Sequence, residues 1–113
     1  MTSNEDVLMI VREFANMLAA KLGEKLSDVI LYGSYARGDF NKSSDIDVLV
    51  ILDMEQDSIE KLRKPICQIA IEADWNYDTF IVPTLSGRSE FERFGDTSAF
   101  YRNIAREGVR MLA

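Results

Sequence analysis

Apolar residues near the start of the chain are spaced as on one face of an α-helix. They lie three or four positions apart and are Val7, Ile10, Val11, Phe14, Met17, Leu18 and Leu22. Ser3 is placed to begin this helix as an N-cap, and Gly23 is placed to end it. The pattern therefore predicts a first helix that ends near residue 22.

Two short and almost continuous apolar runs follow the predicted helix. Residues 28–34 read DVILYGS, and residues 45–53 read DIDVLVILD. Runs of this length that are rich in β-branched residues predict buried β-strands. Between them, YARG is long enough for a single helical turn, and residues 41–44 have the composition of a loop.

The second half of the chain predicts two or three further helices and one more strand. Apolar residues over 57–73 repeat at helical spacing, with a kink or break expected at Pro65. Residues 77–85 predict a third strand, with Pro83 at or beyond its end, and residues 86–94 predict a short helix. A last helix is expected after Asp96, which is placed to cap it. Its apolar residues are Phe100, Ile104, Val109 and Leu112.

This order of elements predicts one α/β (α+β) domain over residues 1–113, with a small mixed sheet flanked by helices. With 19 acidic and 13 basic residues the net charge is −6, so the bulk field of the protein does not attract duplex nucleic acid. The chain has no histidine, which excludes His-based triads and His-ligated zinc. We find no signal peptide and no apolar run long enough to cross a bilayer, and we expect a cytoplasmic protein.

Two carboxylates stand at the beginning of the second predicted strand. In a strand, residues two positions apart project from the same face, so Asp45 and Asp47 are expected on one face and Ile46 and Val48 on the other. Two neighbouring carboxylates repel each other unless a positive charge lies between them. A divalent cation such as Mg²⁺ prefers oxygen ligands of this kind, so the pair predicts a metal site.

Small residues at the end of the first predicted strand indicate a phosphate site. Gly33 permits close approach to the backbone, Ser34 offers a hydroxyl group, and the following turn exposes N–H groups that favour an anion. Arg37 is placed one turn later and could add a positive charge. Taken singly, a Gly-Ser pair is typical of an ordinary turn and Asp-X-Asp of a solvated loop; their joint arrangement favours nucleotide chemistry.

Phosphoryl-type transfer usually needs a further carboxylate. Asp78 is the leading candidate because it is expected to enter the third strand as Asp45 and Asp47 enter the second. Asp74 is the alternative, placed nearer to the helix end. The neighbouring aromatic residues Trp75 and Tyr77 are expected to pack under the third strand rather than to stack on a base.

The stretch GSYARGDFNKSSDIDVLV resembles the signature of the DNA polymerase β-like nucleotidyltransferase superfamily. It is most similar to the minimal nucleotidyltransferases of the MNT type, which are often encoded beside a HEPN-domain protein. The signature covers residues 32–50, and the similarity extends more loosely over the whole chain. The resemblance implies the polymerase β-like nucleotidyltransferase fold.

The resemblance also implies roles for individual residues. A nucleoside triphosphate, expected to be ATP, would be the donor substrate, and two Mg²⁺ ions would be the cofactors. The metal ligands and catalytic carboxylates would be Asp45, Asp47 and Asp78. The nucleotide-binding residues would be Gly33, Ser34, Arg37 and Ser44.

Three functions are consistent with these residues. The leading hypothesis is transfer of AMP from ATP to a tyrosine hydroxyl of a HEPN toxin, with this chain as its antitoxin. The second is a non-catalytic antitoxin that covers its partner. The third is a transferase that modifies a small molecule such as an aminoglycoside. The sequence leaves the acceptor, the base preference, the number of nucleotides added and the oligomeric state open.

Overall fold

A computed structural model of the protein describes residues 4–37 and 45–112. Its centre is a four-stranded sheet with the strand order β3-β2-β1-β4. The strands are β1 Leu26–Tyr32, β2 Ile46–Leu52, β3 Ile81–Gly87 and β4 Val109–Arg110. β1 is antiparallel to both β2 and β4, whereas β2 and β3 are parallel, which confirms the expected small mixed sheet flanked by helices.

Helices cover both faces of this sheet. α1 and α3 pack on one face, and α4 and α5 pack on the other. The helices are α1 Asn4–Leu22, α2 Ser34–Arg37, α3 Arg63–Tyr77, α4 Arg88–Phe94 and α5 Ala99–Glu107. Two 3-10 segments, Gly23–Lys25 and Gln56–Leu62, precede β1 and α3. Within the described residues, no helix is both long enough and apolar enough to cross a membrane.

The alternation of side chains along β2 divides the core between the two faces of the sheet. Ile46 and Val48 belong to the larger apolar cluster under α1 and α3, and Leu49 and Ile51 belong to the smaller one under α4 and α5. Asp47 lies two positions before Leu49, so it projects from the same face of β2 as the smaller cluster. The predicted separation of Asp47 from its apolar neighbours is therefore confirmed.

The break expected within the helix of residues 57–73 occurs earlier than predicted. The 3-10 segment ends at Leu62, α3 begins at Arg63, and Pro65 lies in the first turn of α3. The N–H groups of a first helical turn have no partner inside the helix, so a residue without an N–H group is tolerated there. The sequence predicted a break near Pro65. The break precedes Pro65 because proline is accepted within the first turn of α3.

The predicted bounds of the third strand were wrong. The strand begins at Ile81, after Asp78 has closed α3 in a left-handed conformation with φ of +54°, and it extends through Pro83 to Gly87. Proline is compatible with a strand at the edge of a sheet, because its missing N–H group faces away from the only neighbouring strand. Because β3 lies at the edge of the sheet, it can continue through Pro83, where the sequence had predicted its end.

The end of the predicted last helix was also wrong. Helix α5 follows Ser98 rather than Asp96, and it ends at Glu107. Val109 then lies in β4, which pairs with β1 through Val109 and Arg110. Arg110 Nη1 contacts Asp28 Oδ2 at 2.5 Å, and this ion pair holds the short strand against the sheet.

Candidate active site

The ends of β1 and β2 bring Gly33 against Asp47. Tyr32, the last residue of β1, pairs with Asp47 of β2, and Gly33 follows with φ of +79° before α2 begins. A Cβ atom on Gly33 would overlap Oδ2 of Asp47 and would lie 3.2 Å from its Cγ. Only glycine fits this turn, because the conformation is left-handed and the carboxylate occupies the space of a side chain.

The two predicted metal ligands differ in their surroundings. Asp47 is half-buried within β2, whereas Asp45 is exposed immediately before the strand. The amide of Ile46, between them, donates a hydrogen bond to the carbonyl oxygen of Phe80 at 2.9 Å. Asp47 lies in β2 and Asp45 immediately precedes the strand, so the expected projection of both carboxylates from one face stays a prediction for Asp45.

A hollow of about 460 Å³ opens over Asp47. Its floor is the turn after β1, and its wall is helix α5. The lining residues are Tyr32, Gly33, Asp47, Phe100, Asn103, Ile104 and Glu107. Sequence reasoning missed the contribution of α5, although the spacing of Phe100, Ile104 and Glu107 places them on one face of a helix.

The negative charge of Asp47 affects the pKa of Tyr32. Its hydroxyl group shares a hydrogen bond with Thr84 Oγ1 at 3.2 Å. Burial raises the pKa of Tyr32, the bond with Thr84 lowers it in part, and the negative charge of Asp47 raises it further. The hollow therefore places the carboxylate of Asp47 beside the ring of Tyr32, and the negative charge of Asp47 can attract a cation.

Asp74 has a structural role in the connection from α3 to β3. Its Oδ1 accepts hydrogen bonds from Thr79 Oγ1 at 3.0 Å and from the amide of Ile81 at 2.8 Å. Burial raises the pKa of Asp74, and these two bonds offset only part of that effect. Asp74 therefore fixes the entry into β3, at the end of the strand that lies beside Asp45.

The structure does not bring Asp78 into the hollow over Asp47. Asp78 is exposed at the end of α3, four positions before Val82, which is the residue of β3 paired with Asp47. It lines a second hollow of about 470 Å³, together with Asp74, Thr79 and Phe80. Among the described residues, no group of three or more His, Cys, Asp or Glu side chains is close enough to hold a metal ion.

The remaining predicted site residues lie at the border of the described chain. Ser34 and Arg37 are the first and last residues of α2, and their side chains are outside the described part, as is all of Ser44. The single helical turn expected after the first strand is confirmed. The nucleotide-binding roles of these three residues stay predictions.

The expectation that Trp75 and Tyr77 pack under the third strand was wrong for Trp75. Trp75 projects into solvent with 88% of its surface exposed. The hydroxyl group of Tyr77 donates a hydrogen bond to Oε2 of Glu13 in α1. Trp75 lies on the outer side of α3, whereas Tyr77 is half-buried and packs against the larger apolar cluster, on the helix face of Ala70 and Ala73.

Comparison with known proteins identifies a family and relatives of this chain. Residues 10–108 match the family of nucleotidyltransferase domains. Two relatives from Methanocaldococcus jannaschii carry the name "putative protein adenylyltransferase". One is 38% identical over 71% of this chain and 79% of its own length; the other is 32% identical over 87% of this chain and 90% of its own length.

Two solved structures share the fold. One is a mutant of the toxin–antitoxin MntA–HpeT, with 17% identity, a TM-score of 0.56, and 90% of this chain and 73% of that chain covered. The other is a toxin–antitoxin with AMP-PNP, with 19% identity, the same TM-score of 0.56, and the same coverage of 90% and 73%. With a family match over most of its length, the chain belongs to the nucleotidyltransferase domain family, as the Gly-Ser and Asp-X-Asp pattern indicated.

Proposed function

We propose that this nucleotidyltransferase moves AMP from ATP to a hydroxyl group of a protein. The observation that carries the proposal is the contact between the Gly33 turn and Asp47 at the base of a hollow large enough for part of a nucleotide. The names of the two archaeal relatives support a protein as the acceptor and AMP as the transferred group. The solved toxin–antitoxin with AMP-PNP supports a nucleoside triphosphate as the donor.

We propose that Asp45 and Asp47 hold Mg²⁺. The donor set fits this ion, because carboxylate oxygens are its preferred ligands and because Asp45 and Asp47 are two acidic positions, separated by one residue, at the start of β2. When bound, the ion would supply positive charge to the phosphate oxygens of the donor. Asp78 stays a prediction from the family resemblance, and its position in the second hollow gives that prediction no support.

The acceptor is proposed to be a tyrosine hydroxyl of a HEPN toxin, which this chain would neutralise as an antitoxin. Similarity of fold to the toxin–antitoxin MntA–HpeT supports this pairing. In the transfer, the acceptor oxygen bonds to the α-phosphorus of ATP while the bond from that phosphorus to the bridging oxygen breaks. Pyrophosphate leaves, and the proton of the hydroxyl group passes to a base.

The proposal is tested by incubating the chain with Mg²⁺, ATP labelled at the α-phosphate, and the product of the neighbouring gene, which the proposal expects to be a HEPN toxin. Label should appear on a toxin tyrosine, and Asp47→Asn should lower the rate by more than about 100-fold, because a charge that organises the reacting groups is removed. Asp53→Asn is the matched control, since Asp53 is an exposed acid just beyond the other end of β2.

Two outcomes would overturn the proposal. No transfer of label by the unaltered chain would exclude the activity with this acceptor. A chain carrying both Asp45→Asn and Asp47→Asn that still neutralises the toxin would show that covering the partner is sufficient, as a non-catalytic antitoxin requires.

A further inference from the structure

Three large apolar side chains are exposed together beside β3. Trp75 and Ile71 project from α3 with 88% and 65% of their surfaces exposed, and Phe80, just before β3, is 64% exposed. Isolated apolar residues are common on protein surfaces, but a contiguous group marks an interaction site. Ile71, Trp75 and Phe80 line one hollow, so they form such a group.

This hollow continues along the outer edge of the sheet. A neighbouring hollow of about 320 Å³ shares Ile71, Asp74 and Phe80 with it and extends past Cys67 to Pro83. We call the continuous depression formed by Cys67, Ile71, Trp75, Phe80 and Pro83 the edge groove. Its length along α3 and β3 suits an extended or helical segment of another protein rather than a small molecule.

The edge groove offers few backbone groups for binding an occupant by adding a strand to the sheet. The register with β2 turns the backbone nitrogen atoms of Ile81, Pro83, Leu85 and Gly87 outward. The amide of Ile81 donates to Asp74 Oδ1 at 2.8 Å, that of Gly87 donates to Gln56 Oε1 at 3.1 Å, and proline has none. Only the outward amide of Leu85 then has no partner named among these contacts, so an occupant would be held mainly by its side chains.

Charge indicates the chemistry of the occupant. Asp74 and the exposed Asp78 border the apolar surface, and the whole chain has a net charge of −6. A second copy of this chain would bring like charges together, which opposes association. A partner that offers an apolar side chain between lysine or arginine residues would satisfy both the apolar surface and the acidic rim.

The edge groove also borders the strand next to the candidate active site, because Val82, which lines it, is paired with Asp47 of β2. The carbonyl oxygen of Phe80 accepts the hydrogen bond of the Ile46 amide, and Ile46 is flanked by Asp45 and Asp47. We propose that the edge groove docks the protein acceptor through an apolar side chain flanked by basic residues, and so presents its hydroxyl group to the carboxylates. This inference rests on the proposed transfer to a protein.

Trp75 is the single tryptophan of the chain, so its fluorescence reports directly on the edge groove. The probe is a synthetic peptide of sequence RKLYLKR, and the matched control peptide is EELYLEE. We expect a saturable fluorescence change with RKLYLKR, weakened by raising the salt to about 0.5 M because exposed charges are then screened. The acidic peptide should bind at least about tenfold more weakly, the penalty of like charges at an interface.

Variants test whether the signal comes from the groove. Ile71→Ser and Phe80→Ser should each weaken binding of RKLYLKR about tenfold, through loss of buried apolar surface. Val109→Ser is the matched control, because Val109 is also exposed but lies in β4 at the opposite edge of the sheet. Equal binding by all three variants, or equal binding of both peptides, would overturn the proposal. A fluorescence change that follows the concentration of the chain alone would assign the groove to a second copy.

Failure of the docking proposal can be told apart from failure of the proposed function. Asp47→Asn should bind RKLYLKR like the unaltered chain while losing transfer, and Phe80→Ser should raise KM for the protein acceptor with a smaller effect on kcat. If the peptide binds but the unaltered chain transfers no label, the proposed transfer is refuted and the groove is still supported as a binding site. If Phe80→Ser transfers label with an unchanged KM, docking of the acceptor in the edge groove is refuted and the proposed transfer is still supported.

Discussion

Replacement of Gly33 by alanine tests whether the turn after β1 positions Asp47. Gly33 has φ of +79°, and an added Cβ would overlap Oδ2 of Asp47. Gly23 offers a matched control, because it also has a left-handed conformation, with φ of +58°, but nothing lies within 4 Å of its Cβ position. Both substitutions impose a backbone cost, and only Gly33→Ala moves the carboxylate.

The expected magnitudes follow from these contacts. A left-handed conformation costs an alanine about 1–2 kcal/mol, which corresponds to a fall in Tm of roughly 4–8 °C for a domain of this size. Gly33→Ala adds the displacement of Asp47 into a less favourable rotamer, about 1 kcal/mol more. A shift of about 1 Å in a reacting group lowers a catalytic rate by about 100-fold.

Thermal unfolding followed by circular dichroism measures the first effect, and transfer of labelled AMP measures the second. Gly23→Ala should lose stability and keep its rate, whereas Gly33→Ala should lose slightly more stability and most of its rate. A rate for Gly33→Ala within about threefold of that for Gly23→Ala would refute the positioning role of the turn, because the displacement of Asp47 would then have no kinetic consequence.

The other predictions concern the charges at and near the hollow. Asp47→Asn, or addition of Mg²⁺ to the unaltered chain, should lower the pKa of Tyr32. The pKa is measured from phenolate absorbance with Tyr32→Phe as the blank. An unchanged pKa would show that the charge of Asp47 does not act on Tyr32. Because the folded pKa of Tyr32 is raised, stability should fall as pH rises from the ordinary tyrosine range through the folded pKa. Asp78→Asn should slow AMP transfer by less than about tenfold, since Asp78 lines another hollow; a loss as large as that of Asp47→Asn would restore the role that the resemblance implies.

The sequence was most informative where local pattern alone determines structure. The alternation around Asp47 and the position of Gly33 follow from the period of a strand and from the conformational freedom of glycine, and both are found as expected. The sheet order and the Asp47–Val82 pairing depend on contacts between distant residues, so no local pattern contains them. For the same reason the wall of the hollow, formed by Phe100 and Glu107 of α5, was missed.

The errors at strand ends have the same origin. Pro83 argued against a strand only as long as its position in the sheet was unknown, because proline is tolerated at an edge and not at the centre. Val109 continued the helical spacing of α5, but the free edge of β1 offers hydrogen-bond partners that the helix cannot. The amide of Met111 donates to the carbonyl oxygen of Val29 at 2.8 Å. Tertiary pairing therefore overrode the local periodicity.

The capped edge of β3 has a consequence for aggregation. An exposed apolar strand edge normally invites the edge of another molecule, and such pairing can extend without limit. Of the four outward positions of β3, the amides of Ile81 and Gly87 are already bonded to side chains and Pro83 has no amide hydrogen, which leaves Leu85. At the opposite edge β4 is only two residues long. The protein can thus expose Trp75 and Phe80 to a partner while its sheet offers little template for the growth of a β-fibre.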